Sequence, residues 1–342
     1  MNAISNPATA EQISPMQLAQ DATRIGGYAY QIIVQQSQQV FTLRSQVLAD
    51  TDPENLHQMR SATRRLGAAL QLFADLIAPS TNKKGKPAAA NLSDPKQIKA
   101  LRKLTKSLGR VRDIDVMQAW FSDRNFGKKE RKIVKGLLKR LKKQRKKEFA
   151  RLEDSLSSNT YKQLVKQFKQ WSKRPAFQPA AQQNAHRSAA NRLVPPLTEL
   201  LQHPGWHMAT QKRNQQSNIT QNLSLSQLNQ TLIEDGNLLH DLRKRIKGVR
   251  YQTEFFRGLY GITYAAQARE FRSLQKVLGQ LQDQLVITDS LVAELGTDWT
   301  EKLPTIYADF QNSRLSLWKQ WQPLQQKYLQ LSNQLSQTNA VA

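Results

Sequence analysis

Along residues 56–77 the side chains Leu56, Met59, Thr63, Leu66, Leu70, Phe73 and Ile77 follow one another at intervals of 3, 4, 3, 4, 3 and 4. With roughly 3.6 residues per turn, this alternation keeps them all on one face, predicting a helix with that face in a core. Leu239, Leu242, Ile246, Val249, Thr253 and Phe256 repeat the spacing in the second half of the chain. A third seam, Val134, Leu138, Leu141, Phe149, Leu152 and Leu156, has Arg145 standing where an apolar residue is expected.

Read the same way, the chain predicts helices over about 16–48, from the Asp50-Thr51-Asp52-Pro53-Glu54 start to about Ala78, and over 96–121, 128–156 and 159–173. That start supplies an Asp cap, a proline in the first turn and a glutamate beside the positive end of the dipole. Further helices are expected over 186–202, 235–258, 263–295 and 300–333. Residues 1–15 read as a loose leader, 79–95 as a loop and 336–342 as a tail. The stretch 174–234 holds five prolines and the polar run Gln211–Gln230, and reads as an irregular connection around the short helix 186–202.

The sequence repeats itself. Residues 101–116 (LRKLTKSLGRVRDIDV) align without gaps to 271–286 (FRSLQKVLGQLQDQLV), and 56–66 (LHQMRSATRRL) to 239–249 (LHDLRKRIKGV). The order is the same in both halves, so the expected fold class is all-α, as two related antiparallel helical bundles: 16–173 and 235–335. Leu, Gln, Lys, Arg and Ala dominate the composition and Gly and Pro number only 14 and 13, which suits long helices.

Charge changes the picture from fold to partner. Lys and Arg number 51 against 26 Asp and Glu, a net +25, which repels itself in a compact fold and calls for an anionic partner. There is no cysteine, which excludes disulfides and thiolate metal or redox sites. The N-terminal residues lack the basic start and apolar core of a secretory signal, and no apolar run approaches a membrane span, so a cytoplasmic location is expected.

One residue beyond the first seam stand His57, Arg60 and Arg64, and beyond the second His240, Arg243, Lys247 and Arg250. A step of one residue is roughly 100° around a helix, so these stripes border the core instead of lying on the far solvent face. Cations there need an anion to satisfy them, and arginine forks suit phosphate oxygens. The alternative is that the long side chains snorkel to water with their stems packed. Arg140 and Arg145 belong to the denser basic set of 128–156, most of which reads as a solvated face, with Arg145 the inward-pointing candidate.

These residues resemble a family. His-x-x-Arg-x-x-x-Arg-Arg-Leu at 57–66, Leu-Gly-x-x-Arg-Asp-x-Asp-Val at 108–116 and Leu-His-x-Leu-Arg-Lys-x-x-Lys-x-x-Arg-Tyr at 239–251 look like the CHAD domain, the conserved-histidine α-helical domain. The likeness spans roughly 17–335 and includes the duplicated order. It implies bundles related by a pseudo-twofold, a basic central cavity or groove, and binding of inorganic polyphosphate at polyphosphate granules without catalysis. The positions it carries over are His57, Arg60, Arg64, Arg65, His240, Arg243, Lys244, Lys247 and Arg250, with Arg112 in the Leu-Gly motif. Proteins of polyphosphate metabolism are the further partners this implies. Two departures stand out: Gly67 replaces an arginine frequent in the family, and Gln282 occupies the position that aligns with Arg112.

Other readings are weaker. Nucleic-acid backbones offer the same electrostatics, but no RRM, KH or zinc-finger signature is present and aromatics are sparse along 96–147. His240-Asp241 superficially resembles an HD-type phosphohydrolase motif without its further ligands, and His203 and His207 flank Pro204-Gly205, where no helix can align them on a metal. No P-loop occurs, and no cofactor or metal is expected.

Overall fold

A computed structural model of the chain describes residues 14–78, 91–213, 216–219 and 223–341. In order they form α1 (Pro15–Gln20), α2 (Ile25–Thr42), α3 (Arg44–Ala49), α4 (Pro53–Leu72), α5 (Pro95–Ser122), α6 (Lys128–Ser157), α7 (Asn159–Lys173) and α8 (Ala185–Leu201). A short antiparallel hairpin of β1 (Thr210–Arg213) and β2 (Gln216–Ile219) follows. The chain closes with α9 (Leu225–Phe255), α10 (Ile262–Leu295), α11 (Trp299–Lys302) and α12 (Pro304–Val341). The all-α reading holds, with this hairpin as its one addition among the described residues.

Two compact units emerge. The first comprises the described residues up to Lys106 with Asp154–Ala189, and the second Ser107–Glu153 with the residues from Ala190 onward. This differs from the division into 16–173 and 235–335 expected from the sequence. The boundary falls inside α5 and inside α6, helices of 28 and 30 residues that each contribute one part to each unit.

In the first unit α2 packs against α4 and α7. The predicted seam is buried at every position from Leu56 to Ile77, but α4 ends at Leu72, short of the expected Ala78, so Phe73 and Ile77 lie beyond the helix. The seam's one polar member, Thr63, donates its hydroxyl to the Met59 carbonyl at 2.6 Å, so burial leaves no orphan. Asp52 caps α4 by accepting the Glu54 N–H at 2.8 Å, with Pro53 in the first turn. The helix expected over 16–48 is instead three. The Asp21 carboxylate accepts the Thr23 N–H and hydroxyl and breaks it after α1. Most of the loop expected over 79–95 lies outside the described residues.

The second unit is built on α9, α10 and α12. Leu239, Leu242, Ile246, Val249, Thr253 and Phe256 are all buried, as the spacing predicts. They belong with a core that includes Phe271, Leu274 and Leu278 from α10 and Trp318 and Trp321 from α12. Trp206 stacks between Trp321 and Tyr328, with ring centroids 5.4 and 4.8 Å away, and the buried Gln325 amide donates to the Trp206 and Met208 carbonyls. A second cluster joins Ile114 and Phe121 of α5 and Val134, Leu137 and Leu141 of α6 to Leu291, Leu303 and Phe310. Buried Glu130 accepts from the Thr305 N–H at 2.8 Å and its hydroxyl at 2.7 Å, closing the first turn of α12.

Three boundaries here correct the sequence reading. The supposed linker up to 234 contains the hairpin and the first ten residues of α9. Ser224 and Gln227 form a reciprocal capping box, and buried Leu228 and Leu232 extend the seam toward Leu239. Last, α12 runs on to Val341, through the expected tail.

Two glycines set opposite expectations. A β-carbon on Gly27 would lie 2.2 Å from the Asp21 carbonyl oxygen and 2.5 Å from that of Leu18, where the end of α1 meets α2. One on Gly67 would meet only Leu101 Cδ2, at 3.9 Å. Gly27→Ala should therefore destabilise by about 2 kcal/mol or more, because backbone must move. Gly67→Ala should stabilise by up to about 1 kcal/mol through helix propensity. Urea midpoints read by circular dichroism check both signs.

Candidate functional site

Each repeat-related helix places its basic stripe where the one-residue offset requires. On α4, His57, Arg60 and Arg64 are half-buried beside the buried seam; on α9 so are His240, Arg243, Lys247 and Arg250. The seam fixes which way the helix faces, and the offset leaves each long side chain between core and water. Arg65 is half-buried too, with its Nε donating to the buried Gln36 of α2 at 3.2 Å. Lys244 departs from the pattern and is exposed.

The α9 stripe is held from α10. His240 Nδ1 lies 2.8 Å from Gln282 Oε1. An amide oxygen only accepts, so Nδ1 carries the hydrogen and Nε2 is left to meet a ligand. Gln282, a departure from the motif in the sequence, thus orients the histidine. The Arg243 guanidinium lies across Gly279: a β-carbon there would be 3.7 Å from Nε and 3.8 Å from Nη2. The glycine lets the arginine come down onto α10, where its buried Nε has no hydrogen-bond partner among the described residues. Lys247 makes no ion pair or hydrogen bond among the described residues, and neither does half-buried Arg112 on α5.

Two carboxylates temper this positive field. Burial pushes the Asp283 carboxyl above the ordinary aspartate range although its side chain reaches water. Arg243 pulls it down, and Asp113, its counterpart in the repeat, pushes it up. Two aligned aspartates from α5 and α10 therefore lie within electrostatic reach of each other, and Asp283 within that of Arg243.

Other candidates are committed to internal partners. Arg145 points inward as its seam position predicts, and its Nε meets buried Asp115 at 2.5 Å. Arg140 pairs with Glu294 at 2.5 Å, both half-exposed, a contact of small energetic consequence. Arg250 donates to Glu254 at 2.7 Å, a carboxylate that Arg272 also approaches at 3.4 Å. Sequence spacing signals Glu254, four residues beyond Arg250 on the same helix, but not Glu294, which only tertiary packing brings to Arg140.

The histidine pairs weighed for metal chemistry separate. His203 accepts the Gly205 N–H on Nδ1 at 3.0 Å and sets Nε2 3.1 Å from Asp241. His240 turns instead to Gln282. A groove of about 840 Å³ in the second unit is lined by Trp120, Phe310 and balanced charges, Arg124 and Lys276 with Asp283 and Asp309. Among the described residues no helix is long and apolar enough to cross a membrane.

No curated protein matches the chain. Among solved structures it is similar to the CHAD domain from the plant Ricinus communis, with 22% identity, a TM-score of 0.58 and 91% of each chain covered. It is also similar to PptA from Streptomyces chartreusis, with 13% identity, a TM-score of 0.58, and 89% of this chain and 99% of that one covered. At these identities the likeness is one of fold. The family model of the CHAD domain matches residues 31–292, more than half of the sequence, and the chain belongs to the CHAD family.

Proposed function

We propose that this protein binds inorganic polyphosphate through the half-buried stripes of α4 and α9, and that it does so without catalysis. The observation that carries the reading is the shared register: His57, Arg60 and Arg64 on one helix, His240, Arg243 and Lys247 on the other, each set one residue off a buried seam. Membership of the CHAD family supports the ligand class. A half-buried guanidinium meets an anion in a medium less polar than water, where a charged hydrogen bond is stronger. Arg243 offers a buried Nε, Lys247 an unpaired ammonium and His240 a ring nitrogen. Arg65, Arg112 and Lys244 extend the basic surface, whereas Arg140, Arg145 and Arg250 act chiefly through their carboxylate partners.

Binding without turnover is supported by the divergence of His240 and Asp241, neighbours in sequence that bond to different elements. Association with polyphosphate granules, and with proteins of polyphosphate metabolism there, is the cellular role this reading implies. Nucleic-acid backbone binding is the outcome that competition between long-chain polyphosphate and RNA would reveal: polyphosphate should displace RNA at equal phosphate concentration, and preferential retention of RNA would replace the reading.

The stripes can be separated from bulk charge. Arg60→Ala, Arg64→Ala, Arg243→Ala and Lys247→Ala together should weaken binding by about a hundredfold or more, since charged hydrogen bonds contribute about 1.5–3 kcal/mol each. A control with exposed Arg187→Gln, Arg257→Gln, Arg269→Gln and Lys319→Gln loses the same charge and should weaken it about fivefold or less. Equal losses in two folded variants would sink the stripe reading.

The aspartate beside Arg243 gives a pH test. With its folded value raised, Asp283 takes up a proton at a pH above the ordinary aspartate value of 3.8, and its charge then no longer competes with the ligand. Affinity should rise as pH falls through that range. Asp283→Asn should bind more tightly at neutral pH and show a flatter profile, measured by titration calorimetry against the wild type.

A further inference from the structure

We infer that the lysine face of α6 is a second polyanion track, distinct from the half-buried stripes, that engages the remainder of a long phosphate chain already held by the α9 stripe of the same unit; the inference rests on the polyphosphate reading above. Lys128, Lys132, Lys135, Lys139, Lys142 and Lys146 recur at intervals of 4, 3, 4, 3 and 4. That spacing draws one straight line of about 27 Å along the helix. All six are exposed, although Lys135 and Lys142 stand only one residue beyond the buried seam positions Val134 and Leu141.

An ordinary solvated face mixes signs. The exposed residues of α10 do so, among them Arg269, Arg272, Lys276, Asp289 and Glu294. The α6 line contains no carboxylate, and from Lys128 to Lys147 twelve basic residues face one acidic residue. That one, Glu130, is buried and caps α12. Nearby carboxylates go elsewhere: Asp115 to Arg145, Glu294 to Arg140, Glu148 to Arg110 and Arg151. None reaches a lysine of the line, and those lysines make no ion pair among the described residues. Neighbouring like charges at these intervals repel and weaken the helix that carries them, so the uniformity works against stability unless an anion lies along it. A shorter line of the same kind, Lys162, Lys166, Lys169 and Lys173, runs along α7 in the first unit.

Residue type separates the two kinds of site. The stripes beside the core are Arg and His at every position except Lys247, and those groups bond in fixed directions; the α6 line uses only Lys, a hydrated, mobile point charge. Lysines of this kind attract a flexible chain of phosphates through counterion release without fixing its geometry. A short chain is satisfied by the tighter, half-buried site. A long one held there presents its remainder to α6 at high effective concentration.

The test compares chains of about ten and of several hundred phosphates on the wild type and on Lys132→Gln, Lys135→Gln, Lys139→Gln and Lys142→Gln combined. Short-chain affinity should stay within about threefold of the wild type, while long-chain affinity falls about tenfold or more and its log–log salt slope flattens by about three. Unchanged long-chain affinity and slope in the variant, with short-chain binding intact, overturn the track alone. Loss confined to a single-stranded DNA probe overturns it as well. If the wild type binds neither chain, the polyphosphate reading itself falls, and the track with it.

Discussion

A single-residue offset between an apolar seam and a basic stripe governs this protein. One step is roughly 100° on a helix, so a side chain so placed cannot leave the edge of the core without turning the seam out of it. The seams that start on α4 and α9 are buried throughout, from Leu56 to Ile77 and from Leu239 to Phe256. The cations beside them are therefore held in half-burial by hydrophobic packing, the strongest force available. Replacing the arginines leaves that packing in place, whereas a shift of register by one residue would bury the guanidinium groups or release them to water.

What distinguishes one cation from another is the partner the fold gives it. Asp115 and Glu254 are nearly enclosed, and their arginines, Arg145 and Arg250, complete internal pairs that would be costly to break from one side. Arg243 instead lies on a glycine, against a carboxylate that is itself disfavoured in its charged form. Its charge is left available for a ligand. The repeat makes the contrast visible, because Gly67 occupies in α4 the position that Arg250 occupies in α9. The two helices share their first three basic positions and differ at the fourth.

Much of this was legible from spacing. Every seam position named on α4 and α9 is buried, and every stripe position half-buried, because helical periodicity and core burial are the same geometric fact. The start of α9 was missed although its signals were present: a Ser224–Gln227 capping box followed by Leu228 and Leu232, obscured by a glutamine-rich composition that reads as linker. The hairpin of β1 and β2 lay in the same polar run, with no alternation of apolar residues to announce it. The division into units was hidden for another reason, since α5 and α6 are continuous helices and a change of packing partner along a helix leaves no break in its period. Gln282 was legible as a departure from the motif but not as the group that orients His240, because that bond joins residues 42 apart.

The aspartates complete the logic of the α9 site. A surface made only of cations would hold a polyanion tightly and respond only to salt. If the α9 stripe holds a phosphate chain as proposed, the chain adds a negative charge near Asp283, whose ionised form Asp113 already disfavours. The cheapest relief is for Asp283, already raised above the aspartate range, to take a proton from solvent. Binding and protonation are then linked, and linkage is reciprocal: whatever factor the proton adds to the affinity for phosphate, phosphate adds to the affinity for the proton.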